Sequence, residues 1–191
     1  MAKLGKLFVL SAPSGSGKTT LCRKLAGFSS DGRKLVRSVS ATTRSPRKGE
    51  KEARDYFFIS PKEFNRRRKA GQFLEWARVL GQFYGTPRGF VQENLRRGND
   101  VLLSIDVRGA RQVRRKTKRA VLIFVLAPSF EELTERLKKR STESLREISR
   151  RLNLAKQEMR RAKEYNYVVV NDKISQALAR LKAIIRLERR R

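Results

Sequence analysis

The sequence predicts an α/β fold, three layers deep, with helices on both faces of a central parallel sheet. Three observations carry this. An apolar run, Leu7-Phe8-Val9-Leu10, leads through Ala12-Pro13-Ser14-Gly15-Ser16-Gly17-Lys18-Thr19 into Leu21-Cys22-Arg23-Lys24-Leu25, which can continue as a helix. Short apolar runs then alternate with longer helical patterns, as strands and crossover helices do in a parallel sheet. The stretch from about 39 to 88 breaks that alternation and reads as a mixed α+β lobe inserted into the core.

The elements follow in order. Leu7–Leu10, Val101–Ile105, Val121–Leu126 and Val168–Val170 read as buried strands. Helical patterns cover 19–26, about 108–116, 129–140, 144–163 and 174–188. Ser129 followed by Glu131 and Glu132 marks a helix start with acids in the first turn. Within the inserted lobe, 38–42, 56–59 and 73–79 read as short strands and 61–70 as a helix, with Tyr84-Gly85-Thr86 at a turn.

Composition narrows the class. The chain has 191 residues, 39% of them hydrophobic, which suits one α/β domain with a sizeable core and small inserted lobes. No apolar run approaches the roughly 18 to 20 residues that span a bilayer. The run behind Lys3 and Lys6 ends at Leu10, too short for a signal peptide, so a cytoplasmic location is expected. Cys22 is the single cysteine, which excludes an intramolecular disulfide. The absence of histidine excludes histidine-based acid/base chemistry, histidine metal sites and Ser-His triads.

The charge is extreme: 47 Lys and Arg against 18 Asp and Glu, a formal net charge of +29. Clusters such as Arg66-Arg67-Arg68-Lys69, Arg114-Arg115-Lys116 and Arg189-Arg190-Arg191 are spread over the chain rather than gathered in one arm. A solvated basic face and non-specific binding of nucleic acid through counterion release are both compatible with this pattern.

The loop at 12–19 has the build of a phosphate-binding P-loop. Gly15 and Gly17 allow backbone angles closed to other residues. The first amides of the following helix lack internal partners and point at an anion. Lys18 brings positive charge to the outer phosphates, and the Thr19 hydroxyl is a ligand for Mg²⁺. Ala12 stands where the usual first glycine would be. The loop implies a bound nucleoside triphosphate and leaves the phosphate acceptor open.

Other residues suggest where the acceptor lies. Asp106 ends an apolar strand whose carboxyl end should lie beside the phosphate site, where it can hold the metal shell; a plain surface aspartate is the alternative. Arg44 and Arg47 flank a proline turn and can converge on one anion, although arginine pairs are common in a chain this basic. Glu75 sits on a strand among apolar neighbours and needs a partner: a purine N–H and amine, or one of the many arginines. Tyr56, Tyr84 and Thr86 share that lobe. Arg136 and Arg140 lie four apart on one helical face, with Arg151 on the next helix, an arrangement suited to a lid over transferring phosphates. Arg146 and Arg150 lie nearby, and spacing alone does not choose among them.

Together these segments resemble the guanylate kinase family from about residue 6 to 188. The motifs are Ser11–Thr19, Ser38–Arg44, Pro46-Arg47, Gly49-Glu50, Asp55-Tyr56, Phe73–Ala77, Tyr84–Thr86, Ile105–Val107 and Val169–Asp172. The resemblance implies a core (about 1–38, 89–128 and 155–191), a GMP-binding lobe (about 39–88) and a lid (about 129–154). It implies phosphoryl transfer from ATP to GMP, and to dGMP, with Mg²⁺, in purine metabolism and GMP recycling. By resemblance, Ala12, Pro13, Ser14, Gly15, Ser16, Gly17, Lys18, Thr19 and Thr20 bind ATP, with Asn171 near the adenine. Arg44, Arg47, Tyr56 and Tyr84 hold the GMP phosphate, and Ser40, Glu75 and Thr86 address the guanine. Lys18, Arg44, Arg136, Arg140 and Arg151 are the expected catalytic residues, and Thr19 and Asp106 the expected metal ligands. Two positions depart from the family pattern: Ser104 replaces an acid on the guanine side, and Arg108 replaces a glutamine. Ser104 retains an acceptor without the charge, which predicts weaker rejection of purines lacking the 2-amino group. An interaction module that has lost catalysis and a kinase for another phosphorylated acceptor are the rival readings.

Overall fold

In the computed structural model the residues described are 4–139 and 145–191. The core opens with β1 (Leu7–Ser11), α1 (Lys18–Leu25) and the hairpin of β2 (Ser29–Ser30) and β3 (Arg33–Arg37). The inserted lobe comprises β4 (Ala41–Thr42), β5 (Phe57–Phe58), α2 (Pro61–Lys69), β6 (Phe73–Val79) and β7 (Gln82–Pro87). The core resumes with α3 (Arg88–Arg96), β8 (Asp100–Ser104), α4 (Val107–Lys116), β9 (Val121–Leu126), α5 (Phe130–Lys139) and α6 (Leu145–Met159). A 3₁₀ turn (Ala162–Glu164), β10 (Tyr167–Val170) and α7 (Ile174–Arg190) complete it.

The main sheet has the order β10-β9-β1-β8-β3-β2, parallel throughout except for β2. β1 is central and buried along its whole length, as a strand covered on both faces must be. Its side chains alternate between two cores. Phe8 and Leu10 pack with Leu21, Leu25, Leu181 and Ile185 beneath α1 and α7. Leu7 and Val9 pack with Val91, Leu103 and Val113 beneath α3 and α4. The expected three layers are therefore present.

Three strands were hidden in the sequence: the two-residue β2, β3 and β7. β3 carries Arg33, Lys34 and Arg37 around Leu35 and Val36, so it lacks the apolar run of its neighbours, although Leu35 is fully buried. Tyr84-Gly85-Thr86 lies inside β7, not at a turn, pairing with both β4 and β6. Gly85 fits there because the Phe73 ring covers it, and a Cβ would come within 2.9 Å of that ring. The lobe's own core is Ala41, Phe64 and Phe73, with Phe57, Trp76 and Phe83 against it. The long helix expected at 144–163 ends at Met159 and gives way to the 3₁₀ turn. Ser129 does cap α5, its Oγ accepting from the Glu132 amide at 3.1 Å.

At the opposite end of the sheet from the phosphate loop, a buried ion pair ties α7 to β8. Arg189 Nε donates to Asp100 Oδ2 at 2.6 Å, and the Lys6 amide donates to Asp100 Oδ1 at 2.7 Å.

Candidate active site

A cavity of about 1020 Å³ opens between the carboxyl ends of β1 and β8, the inserted lobe and α6. Its floor is the β1–α1 loop. Gly15 and Gly17 adopt φ of 90° and 84°, in the left-handed region that glycine enters freely. Gly17 is also the N-cap of α1 and contributes no side-chain cap, which leaves the first-turn amides for an anion. A Cβ on Gly17 would collide with the Asn171 amide, whose Nδ2 donates to the Ser16 carbonyl at 2.8 Å. Leu133 and Leu137 of α5 pack over Gly15, so the lid helix rests on the loop. Lys18 leaves the first turn of α1 and donates to the Ile105 carbonyl at 3.0 Å, across the end of β8. Asp106 follows directly and caps α4, its Oδ1 accepting from the Gly109 amide at 2.8 Å.

The lobe supplies the facing wall. Arg44 Nη2 donates to both oxygens of Glu50 at 3.0 and 2.9 Å, and Nη1 to the Ser45 carbonyl at 2.6 Å. Its guanidinium lies 5.5 Å from the Tyr56 ring centre, and the Tyr56 and Tyr84 rings meet edge to face at 6.0 Å. Glu50 Oε2 also accepts from the Arg47 amide at 2.8 Å, so one carboxylate shapes the loop that carries both arginines. Asp55 beside them holds Arg23 of α1 and Arg54, fastening the lobe to the core.

Deeper in the cavity Glu75 is 2% exposed and Thr86 fully buried. Thr86 Oγ1 donates to Glu75 Oε1 at 2.5 Å, and Gly109 leaves room for Oε2 where a Cβ would collide. Burial, with Asp106 nearby, raises the Glu75 carboxyl to about 7. Ser40, Ser104 and Cys22 line the same region. The Cys22 thiol lies beside Ser104, and burial raises its pKa. Ser38 Oγ also borders the cavity and is buried without a partner among the described residues.

The far wall is α6. Arg150, Arg151, Leu154 and Glu158 face the cavity, while Leu152, Ala155 and Met159 pack with Leu133 and Leu137 of α5. Glu158 is 6% exposed, and burial raises its carboxyl to about 7; Asp106 adds to the rise, and Lys18 and Arg108 oppose it.

The comparisons with known proteins bear on this arrangement. The family description "Guanylate kinase" matches residues 4–188. The chain belongs to the guanylate kinase family. It is 48% identical over 187 residues to a guanylate kinase of Caldanaerobacter subterraneus subsp. tengcongensis, covering 98% of this chain and 89% of that protein. It is 47% identical over 186 residues to one of Wolbachia pipientis wMel, covering 97% and 91%. The crystal structure of guanylate kinase from Anaplasma phagocytophilum superposes with a TM-score of 0.79 at 36% identity, covering 97% of this chain and 87% of that one. The chain is thus a nucleotide-binding kinase with the family's α/β fold. Among the described residues no helix is long and apolar enough to cross a membrane.

Against this guanylate kinase frame, Lys18, Thr19, Arg44, Arg47, Tyr56, Glu75, Tyr84, Ser104, Asp106 and Arg151 all reach one cavity. Thr86 reaches it through Glu75. Asn171 is 2% exposed and braces the phosphate loop from behind, and Thr20 stands half-buried on α1 beside it. Arg136 is not among the described residues that line the cavity: its Nε donates to Glu132 at 2.9 Å and its Nη1 to the Asn171 carbonyl at 3.4 Å. Arg140 lies outside the described residues. Arg150, which spacing alone did not separate from its neighbours, does line the cavity. From sequence, Glu50 and Ser38 were recognised only as parts of motifs, without a role in the site, and Glu158 was missed. For Glu158 a signal existed, since Arg151, Leu154 and Glu158 fall on one helical stripe.

Thr19 and Asp106 offer one hydroxyl and one carboxylate, oxygen donors that suit a hard cation. The described residues hold no cluster of three or more His, Cys, Asp or Glu side chains fit for a metal. An ion at this place would take its remaining ligands from phosphate and water, as Mg²⁺ does.

Proposed function

We propose that this chain transfers the γ-phosphoryl group of ATP to GMP and dGMP, with Mg²⁺, in the recycling of purine nucleotides in the cytoplasm. One observation carries the reading. The same cavity holds a phosphate loop at one end and, at the other, a buried carboxylate oriented by Thr86 beside the Arg44–Tyr56–Tyr84 cluster.

The residues divide the work by chemistry. Loop amides and Lys18 hold the donor phosphates. Arg44, already aimed by Glu50, and Arg47 take the acceptor phosphate, with Tyr56 and Tyr84 as hydroxyl donors. Glu75 accepts from the guanine N1–H and 2-amino groups, a pairing that adenine cannot offer. Ser40 and Ser104 lie within the same pocket. Mg²⁺, held at Thr19 and Asp106, would neutralise charge on the donor phosphates. The acceptor phosphate is already an anion near neutral pH, so no general base is required. Catalysis is then in-line positioning and charge neutralisation, to which Arg150 and Arg151 contribute from α6. The retained Gly15, Gly17, Lys18, Thr19 and Asp106 argue against a non-catalytic interaction module. A coupled assay with ATP and each nucleoside monophosphate tests the proposal: turnover should be greatest with GMP, and no turnover with GMP would refute it.

A second activity is favoured by one surface. Arg160, Arg161 and Lys163 line one surface with Glu164, whose carboxylate pairs with Arg161 and with Arg111 of α4, while Arg114 of α4 donates to Asn166. Such a face attracts a phosphodiester backbone without reading its sequence. Affinity for unrelated oligonucleotides should fall linearly on a log–log salt plot; no binding at low salt excludes it.

A further inference from the structure

The phosphotransfer reading leaves one buried acid in the cavity without a task. Glu158 projects from α6 into a space that must receive two phosphate chains. A buried carboxylate repels phosphate, and an uncompensated one is costly. Neither Glu158 oxygen accepts a hydrogen bond from a described residue. The cations that face it are Lys18 and Arg108, and both are already engaged. Lys18 donates to the Ile105 carbonyl, and Arg108 Nη1 donates to the Arg78 carbonyl at 3.0 Å. Asp106 stands close enough to repel it. Once Lys18 turns to a donor phosphate, Asp106, Glu158 and that phosphate are left facing one another. Arg150 and Arg151 share the cavity but serve the transferring phosphates in the phosphotransfer reading, so a divalent cation is the charge that relieves this, and an ion at Thr19 and Asp106 would keep several of its waters.

We propose that Glu158 is a positioning residue for the divalent cation, accepting a hydrogen bond from a water of the ion held at Thr19 and Asp106. This rests on the phosphotransfer reading of the same site. Because α6 also packs against α5, which rests on the phosphate loop, the contact couples loading of the ion to docking of α6.

The experiment compares native protein with Glu158→Gln, which keeps the side-chain shape and removes the charge. A non-hydrolysable ATP analogue is titrated by calorimetry with and without Mg²⁺, and Mn²⁺ binding to the protein–nucleotide complex is followed by electron paramagnetic resonance. Glu158→Gln should weaken Mn²⁺ by about 10- to 100-fold, the usual effect of losing an outer-shell partner. Metal-free binding of the analogue should be unchanged or tighter. Glu158→Asp should recover part of the metal affinity and supplies the comparison if Glu158→Gln does not fold. Native-like Mn²⁺ affinity in a folded Glu158→Gln overturns the inference while leaving GMP turnover intact. Absence of any metal-dependent nucleotide binding in the native protein overturns both.

Discussion

Thr86 Oγ1 donates to Glu75 Oε1 at 2.5 Å across the pairing of β6 and β7, in the deepest part of the cavity. The two residues oppose each other in the ladder, so the hydroxyl sets the carboxylate's rotamer before any ligand arrives. Thr86→Val removes the donor and keeps the branch. A hydrogen bond to a charged group contributes about 1.5–3 kcal/mol. The expected loss is therefore roughly ten- to hundredfold in kcat/KM for GMP, with KM for ATP little changed and Thr86→Ser near native. Steady-state kinetics of the three proteins check this, and native-like GMP kinetics in Thr86→Val would remove the orienting role.

Glu75 also makes a pH prediction. Its carboxyl lies at about 7 in the fold against 4.5 in the open chain, chiefly through burial. Between those values the unfolded chain has released a proton that the folded state keeps. Stability from this group is therefore greatest below about 4.5 and is lost as pH rises to about 7. Binding runs the other way, because accepting from guanine requires the carboxylate. KM for GMP should rise as pH falls below about 7, and Glu75→Gln should lose that limb along with most affinity. The same substitution should flatten the change in Tm over this range.

Lys18 is the charge on the donor side. Lys18→Ala should lower kcat by at least about 100- to 1000-fold, the scale for losing one donor to a developing charge. The fold should persist, since the side chain crosses to a single carbonyl. Circular dichroism and the coupled assay together decide; near-native turnover would refute the assigned role.

Ser104 faces the cavity beside the Cys22 thiol, with no charge to offer a 2-amino group. Ser104→Asp should raise the ratio of kcat/KM for GMP over IMP, because a charged acceptor makes the stronger bond. An unchanged ratio would leave guanine selection to Glu75.

Far from the cavity, Arg189 and Asp100 form a buried pair at 2.6 Å. Arg189→Met leaves Asp100 buried without its partner and should cost about 3–5 kcal/mol in urea unfolding. Turnover per folded molecule should not change.

Much of this site was legible in the sequence because its signals are local. The glycines of the loop, the apolar strand before it and the acid ending Val101–Ile105 are neighbours in the chain. Glu50 was harder to see, although only six positions separate it from Arg44. Nothing in the spacing says that the turn folds back to pair them. The strand β3 was concealed by its three cationic residues, which leave only Leu35 and Val36 as an apolar signal, although Leu35 fills the core.

By itself the sequence determined the layered fold, the phosphate loop and the class of chemistry. Apolar period and glycine spacing act over a few residues and survive without knowledge of the partners. Only the tertiary structure decided which charges meet. Lys18 reaches a carbonyl 87 positions away. Asn171 braces a loop 155 positions away. In a chain with 47 basic residues, one arginine looks like another until packing assigns it. Arg136 turns to Glu132, Arg150 and Arg151 line the cavity, and Glu158 is buried with Lys18, Asp106 and Arg108 as its charged neighbours. Those assignments depend on where burial strips water from a charge, and that is a property of the packed molecule.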